Sequence, residues 1–302
     1  DQSYIPLCPI WHNALLNEAL IEANGGDIDI HHIQQAQQHK YNRESYLPER
    51  ALDDIRDGQV IIETEGEQVG QVNGLTVIDV PGHPISYGEP ARISCVIHFG
   101  DGDITDVERK AELGGNLHAK GMMIMQAFVS SALNLEDPLP YAASVVFEQS
   151  YCEVDGDSAS LAELCSLVSA LSEYPINQQI AVTGAVDQFG RVQAVGGLNE
   201  KIEGFYHVCK HNGLTGEQGV ILPRSNLRHL ALKPDLIESI KNEEFHIWSV
   251  SNVDEAIPLI MNAPFRDEEQ ESVLSKIAER IENFERHEHP IGIVGRIKNW
   301  FV

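Results

Sequence analysis

The chain has 302 residues, 42% of them apolar, and carries a formal charge of −25 from 46 acidic against 21 basic side chains. An acidic excess of that size repels a phosphate backbone, and no concentration of cations offsets it, so no nucleic acid partner is expected. The longest apolar runs, MMIMQAFV and AASVVF, are far shorter than the roughly 20 residues that span a bilayer; no membrane segment is expected, and no signal peptide is visible.

In chain order, NALLNEALIEA and, after GGDIDI, HHIQQAQQHKYNRESYL read as helices between Trp11 and Leu47, a small helical unit. From Glu63 the pattern changes. VGQVNGLTVIDV, ARISCVIHF and YAASVVFEQS read as strands, punctuated by Gly74, Pro81, Gly82, Pro84 and Gly88. Between the last two, HAKGMMIMQAFVSSAL sets Met122, Met125, Phe128, Val129 and Leu133 on one helical face, which is expected to be core. LAELCSLVSAL repeats the helical spacing at Leu161, Leu164, Cys165, Val168 and Leu171 and is expected to bury one face. IAV, GVIL and FHIWSV then alternate with helices at Lys201–Lys210 and Val253–Met261, an α/β pattern with turns at Gly190 and Pro223. The chain closes with a charged helical stretch, SVLSKIAERIENFERHEH, and with GIVGRIKNWFV. The cations, Trp300, Phe301 and Val302 of that ending suit either a docking helix for a partner or membrane surface, or a plain terminus.

Two segments carry candidate chemistry. GDSAS puts Ser158 in a small-residue turn before a helix, where unpaired N–H groups and the positive helix end can stabilise an oxyanion. GGLNEK puts Lys201 in the first turn of the next helix, capped by Asn199 with Ile202, Phe205, Tyr206 and Cys209 on its buried stripe. A cation is disfavoured there. Lowering a lysine pKa from roughly 10.4 to about 7 takes about 4 kcal/mol, within reach of burial plus a helix end. The neutral amine would then deprotonate Ser158 for acyl transfer, without metal or organic cofactor. Taken alone, the serine is equally a helix cap and the lysine a solvated side chain.

Other residues are weighed beside them. Thr183, after IAV, either orients the lysine or simply ends a strand before Gly184; Glu148, Asp155 and Asp157 either bind the ammonium, pairing with it in a resting form, or make an ordinary acidic loop. Cys152 is a conceivable thiol nucleophile, but no histidine stands in a partner motif. The five cysteines are odd in number without CxxC spacing, which suits reduced, mostly buried thiols and a cytoplasmic protein. Neither His31–His32 nor His287–His289 has metal-ligand spacing, and no metal site is expected.

The stretch from EQSYCEVDGDSAS to GEQGVILP closely resembles the proteolytic domain of Lon-type ATP-dependent proteases, and the likeness extends over residues 30–262. VDGDSAS and GGLNEKIEGF resemble the B-type branch more than the A-type, whose turn reads KDGPSAG. The resemblance implies Ser158 as nucleophile, Lys201 as its partner, Thr183 near the amine, and Ser160 as the runner-up nucleophile. His118 and Lys120 fall in an HxKG element also seen in that branch, and either line the substrate groove or start a helix. The implied fold is an α/β (α+β) Lon proteolytic domain with mixed sheets and flanking helices over residues 61–262. A small all-helical subdomain of AAA+ lid type, residues 1–60, would precede it, and a helical tail, residues 263–302, would follow. The implied activity is endopeptidase cleavage of unfolded or damaged proteins within a homohexamer. A catalytically silent assembly module and a small-molecule esterase or amidase are the rival readings. No GxxxxGK[ST] loop is present, so ATP and Mg are expected only with an ATPase region upstream in a parent protein, and the missing initial Met suits a fragment.

Overall fold

The computed structural model describes residues 8–83, 85–134 and 139–288. Three helices open it: α1 (Pro9–Glu22), α2 (Ile30–Glu44) and α3 (Tyr46–Arg56). The start of α2 is fixed by a capping box, in which Asp29 accepts from the N–H groups of His31 and His32 while the His32 ring accepts from Asp29. His39 contacts Glu22 at 2.7 Å and Arg43 contacts Glu18 at 2.6 Å. Moving forward along α2 thus moves backward along α1, and the pair is antiparallel.

The remaining chain builds a mixed sheet with helices on both faces. Its elements run β1 (Glu67–Gln68), β2 (Gln71–Ile78), β3 (Tyr87–Phe99), β4 (Ile104–Asp106), α4 (Val107–Lys110), α5 (Asn116–Leu133), β5 (Tyr141–Phe147) and α6 (Ser160–Ser172). There follow β6 (Ile176–Asn177), β7 (Ile180–Val182), β8 (Ala185–Val186), β9 (Val192–Gln193), α7 (Leu198–Asn212) and β10 (Gly219–Pro223). A 3₁₀ turn (Arg224–His229), α8 (Pro234–Lys241), β11 (His246–Val250), α9 (Val253–Met261) and α10 (Val273–Glu288) complete it. Seven strands lie in the order β11-β10-β7-β2-β3-β5-β4. Pairing is antiparallel for β2 with β3 and β3 with β5, and parallel at the other four junctions. β1 pairs with β6 and β8 with β9 as separate two-stranded ladders.

Alternate residues of the central strands feed two cores. Ile221 joins a cluster formed with α5, α6, α9 and α10, whereas its neighbours Val220 and Leu222 join a second cluster formed with α7 and α8. That is the period of a strand covered on both faces. Helix α6 departs from the one-faced expectation, because all thirteen of its residues are buried. Sheet and helices enclose it together, and two of its serines bond to carbonyls of their own helix, Ser166 to Glu163 and Ser172 to Val168. Helix α10 contributes Val273, Ile277 and Ile281 to the same cluster. Arg280 beside them donates to the carbonyls of Ala170 and Leu171 at the end of α6.

Two punctuation glycines lie within strands instead. Gly74 is inside β2, where a Cβ would stand 2.5 Å from the Ile93 side chain. Gly88 is inside β3, where a Cβ would stand 2.0 Å from the Glu200 carbonyl of α7. Pro84 and the GIVGRIKNWFV ending lie outside the described residues.

Candidate active site

The parallel pairing of β7 with β2 covers only Asn73 and Gly74. Past that point the two strands part, and the starts of α6 and α7 converge on the gap from opposite faces of the sheet. Thr183 and Gly184, just after β7, fasten the serine loop there: Gly184 N–H donates to the Ser158 carbonyl at 2.9 Å, and Leu161 N–H donates back to Gly184 at 3.1 Å. Thr183 N–H itself is tied to Ile221 of β10. On the other side Gly197 opens α7 with φ +62, and a Cβ there would stand 2.3 Å from Val77. Only glycine meets both demands, the left-handed backbone and the close approach to β2.

This arrangement brings Lys201 Nζ to 2.8 Å from Ser158 Oγ and 3.2 Å from Thr183 Oγ1. The Thr183 hydroxyl also faces the Ser158 carbonyl at 3.4 Å. Lys201 is 3% exposed and Thr183 is fully buried, while Ser158 stays half-buried on a groove of about 290 Å³. Desolvation lowers the lysine pKa to about 8, with Asp157 pulling in the opposite direction. Among the three acidic candidates only Asp157 acts on the amine. Asp155 accepts from Leu117 and His118 N–H at the start of α5, and Glu148 accepts from Ser94.

Several expectations are corrected. Asn199 does not cap α7; Gly197 holds that position, and Asn199 bonds to His229 and Ala231 instead, tying α7 to the chain after the 3₁₀ turn. Ser160 is 1% exposed and accepts from Val186 N–H, so it braces the β8 segment and does not face the groove. The first-turn N–H groups of Ser160 and Leu161 are taken by Asp157 and Gly184 carbonyls. Among the described residues, those of Ser158 and Ala159 have no backbone carbonyl partner.

His118 does not line the groove either. It is 2% exposed, with Nε2 at 3.1 Å from Asp106 and Nδ1 at 3.5 Å from Glu163, while Lys120 is exposed. Burial pulls the imidazole pKa down, but Asp106 and Glu163 outweigh it and the net direction is up. Burial pushes Glu163 up to about 7. The partner Glu108 is buried beside them and accepts from Phe147 N–H. The sequence signals for this cluster were the HxKG element at His118 and a glutamate inside the apolar run LAELCSLV.

Cys152 is exposed on the groove, Cys8 is also exposed, and Cys95, Cys165 and Cys209 are buried; all five are free thiols. Burial pushes Cys95 and Cys165 up to about 12, leaving them inert. Among the described residues, no group of three or more His, Cys, Asp or Glu is arranged to hold a metal, and no helix is long and apolar enough to cross a membrane.

Fold and site together define a mixed α/β domain that joins a groove serine to a buried lysine across the sheet. Residues 146–263 match the model of the Lon protease (S16) C-terminal proteolytic domain. The chain is 51% identical over its whole length to the protein named "Putative Lon protease homolog" of Escherichia coli (strain K12), of which it covers 52%. It is also 51% identical, over 80% of its length, to a protein of the same name from Haemophilus influenzae, covering 41% of that protein. With the "Archaeal Lon protease" of Pyrococcus abyssi it shares 28% identity over 73% of its length and 20% of the relative's. Residues 146–263 thus carry a proteolytic domain of the Lon family. It spans about half the length of the first of these relatives and less of the others.

Proposed function

We propose that this chain is a serine endopeptidase in which Ser158 is the nucleophile and Lys201 its general base. The supporting observation is the 2.8 Å contact between a half-buried hydroxyl and an amine whose pKa burial has lowered to about 8. The neutral amine takes the Ser158 proton as Oγ bonds to the substrate carbonyl carbon. The N–H groups of Ser158 and Ala159 receive the oxyanion. On collapse the C–N bond breaks and the Lys201 ammonium passes its proton to the leaving amine; water then hydrolyses the acyl ester by the same proton route. Thr183 holds the amine on its line to Ser158.

The substrates are unfolded or damaged proteins, the expected assembly is a homohexamer, and the work is that of the proteolytic part of an ATP-dependent Lon-like machine. Hydrolysis of casein and of a fluorogenic peptide tests this. Ser158→Ala and Lys201→Ala each lower turnover by at least about 10³-fold, as loss of a nucleophile or its base does. Unchanged turnover in either variant overturns the dyad, and an inactive parent chain favours a silent assembly module.

A further inference from the structure

The groove that holds Ser158 is lined by the end of β2 and the start of β3, among them Thr76, Ile78, Glu89 and Ala91. Cross-strand register pairs Thr76 with Glu89 and Ile78 with Tyr87, so these four side chains share one face of the sheet. Glu89 borders three spaces: the Ser158 groove, the cleft against α3, and the cavity of about 170 Å³ between α3 and α7. It is therefore the carboxylate at the junction between the reacting centre and the helical unit.

Among the described residues no cation pairs with it. Among the described residues its side chain makes no hydrogen bond or ion pair, and the charge that acts on it most from α3 is another carboxylate, Asp54. Burial, with Asp54 adding to it, pushes the Glu89 carboxyl above the usual range. Nearby cations are engaged elsewhere: Arg50 contacts Asp54 at 2.8 Å and Lys233 contacts Glu203 at 3.0 Å. Arg92, which also borders the groove, forms no ion pair with Glu89. The facing loop adds further acids, Glu148, Glu153 and Asp155. A partly desolvated carboxylate without a partner is costly, and an incoming ammonium or guanidinium removes that cost.

We infer that Glu89 selects substrates carrying a lysine or arginine side chain near the scissile bond, binding that cation in the groove. This rests on the peptidase reading above. The inference concerns which peptides are preferred, and its test separates it from that reading.

The probe is a fluorogenic peptide series in which each position flanking the cleaved bond is in turn Arg, norleucine or Glu. At one position the parent chain prefers Arg over norleucine by at least about tenfold in kcat/KM, mainly through KM, as for a charge paired at a half-buried site. Glu89→Gln reduces that ratio to within twofold, and Glu89→Lys inverts the choice in favour of Glu, an outcome that misfolding cannot produce. In parallel, binding of labelled Arg and norleucine peptides to the Ser158→Ala protein is followed by fluorescence anisotropy. Equal affinity of the two peptides, or an Arg preference that survives in Glu89→Gln, overturns the inference whether or not the parent chain turns over. Loss of turnover with the Arg preference in binding intact overturns the peptidase reading and leaves the role of Glu89 standing.

Discussion

At residue scale the controlling quantity in the proposed mechanism is the proton on Lys201. Only the neutral amine can accept from Ser158, and with a pKa near 8 half of it is neutral at that pH. The expected profile of kcat/KM therefore rises with pH, reaches half its maximum near 8 and stays level above. Asp157 favours the charged amine, so Asp157→Asn moves the midpoint to lower pH; an unmoved or raised midpoint in a pH–rate series contradicts the assignment.

Glu163 sets a second pH dependence, this one in stability. Its carboxyl is raised from 4.5 to about 7 in the folded chain by burial. A raised group contributes stability fully below its unfolded value, and that contribution is lost as pH climbs through the folded one. Raised His118 acts in the same direction. Glu163→Gln removes the titration, so its stability relative to the parent, followed as Tm, improves between pH 5 and pH 8, by up to about 3 kcal/mol at 1.36 kcal/mol per pKa step. Parallel Tm curves for the two proteins refute this. Ser158, Lys201 and Thr183 were legible because short motifs mark them. The Asp106–Glu108–His118–Glu163 cluster was not, because its members come from separate elements and meet only through packing.

At element scale the critical contact is backbone against backbone between β3 and α7. A Cβ at Gly204 would stand 2.1 Å from the Gly88 carbonyl. Gly204→Ala therefore pushes α7, and Lys201 with it, off the sheet, at a cost of about 1–3 kcal/mol for overpacking. Tm and peptidase rate should fall together. Gly196→Ala, where no atom lies within 4 Å of the added Cβ, leaves Tm within a degree or so in the same thermal scan. Periodicity gave the long elements, such as α5 and β3, to within a few residues. It missed β4 and α4, at three and four residues too short to display any period, and α8, which opens at Pro234. Asn199 was misread as a cap because the left-handed Gly197 that opens the helix is a tertiary choice, made against Val77 of β2.

At the scale of the molecule, charge is the dominant global property. With a formal −25 the folded chain repels itself, and salt screens that repulsion. Raising ionic strength from about 0.02 to about 0.2 M should increase Tm by several degrees, and a flat response would show the carboxylates to be locally compensated. The fold class was legible as alternating strands and helices, but the sheet order was not: β2, the first strand of the seven-stranded sheet in chain order, sits beside β7, far later in the chain, through the pairing of Asn73 with Ala181 and Gly74 with Val182.

Ser158 and Lys201 are 43 positions apart and are delivered from opposite sides of one sheet, each by a helix anchored in its own core. On the proposed dyad, a nascent or partly unfolded copy holds the two groups apart, and the pair forms only once both layers have docked on the sheet.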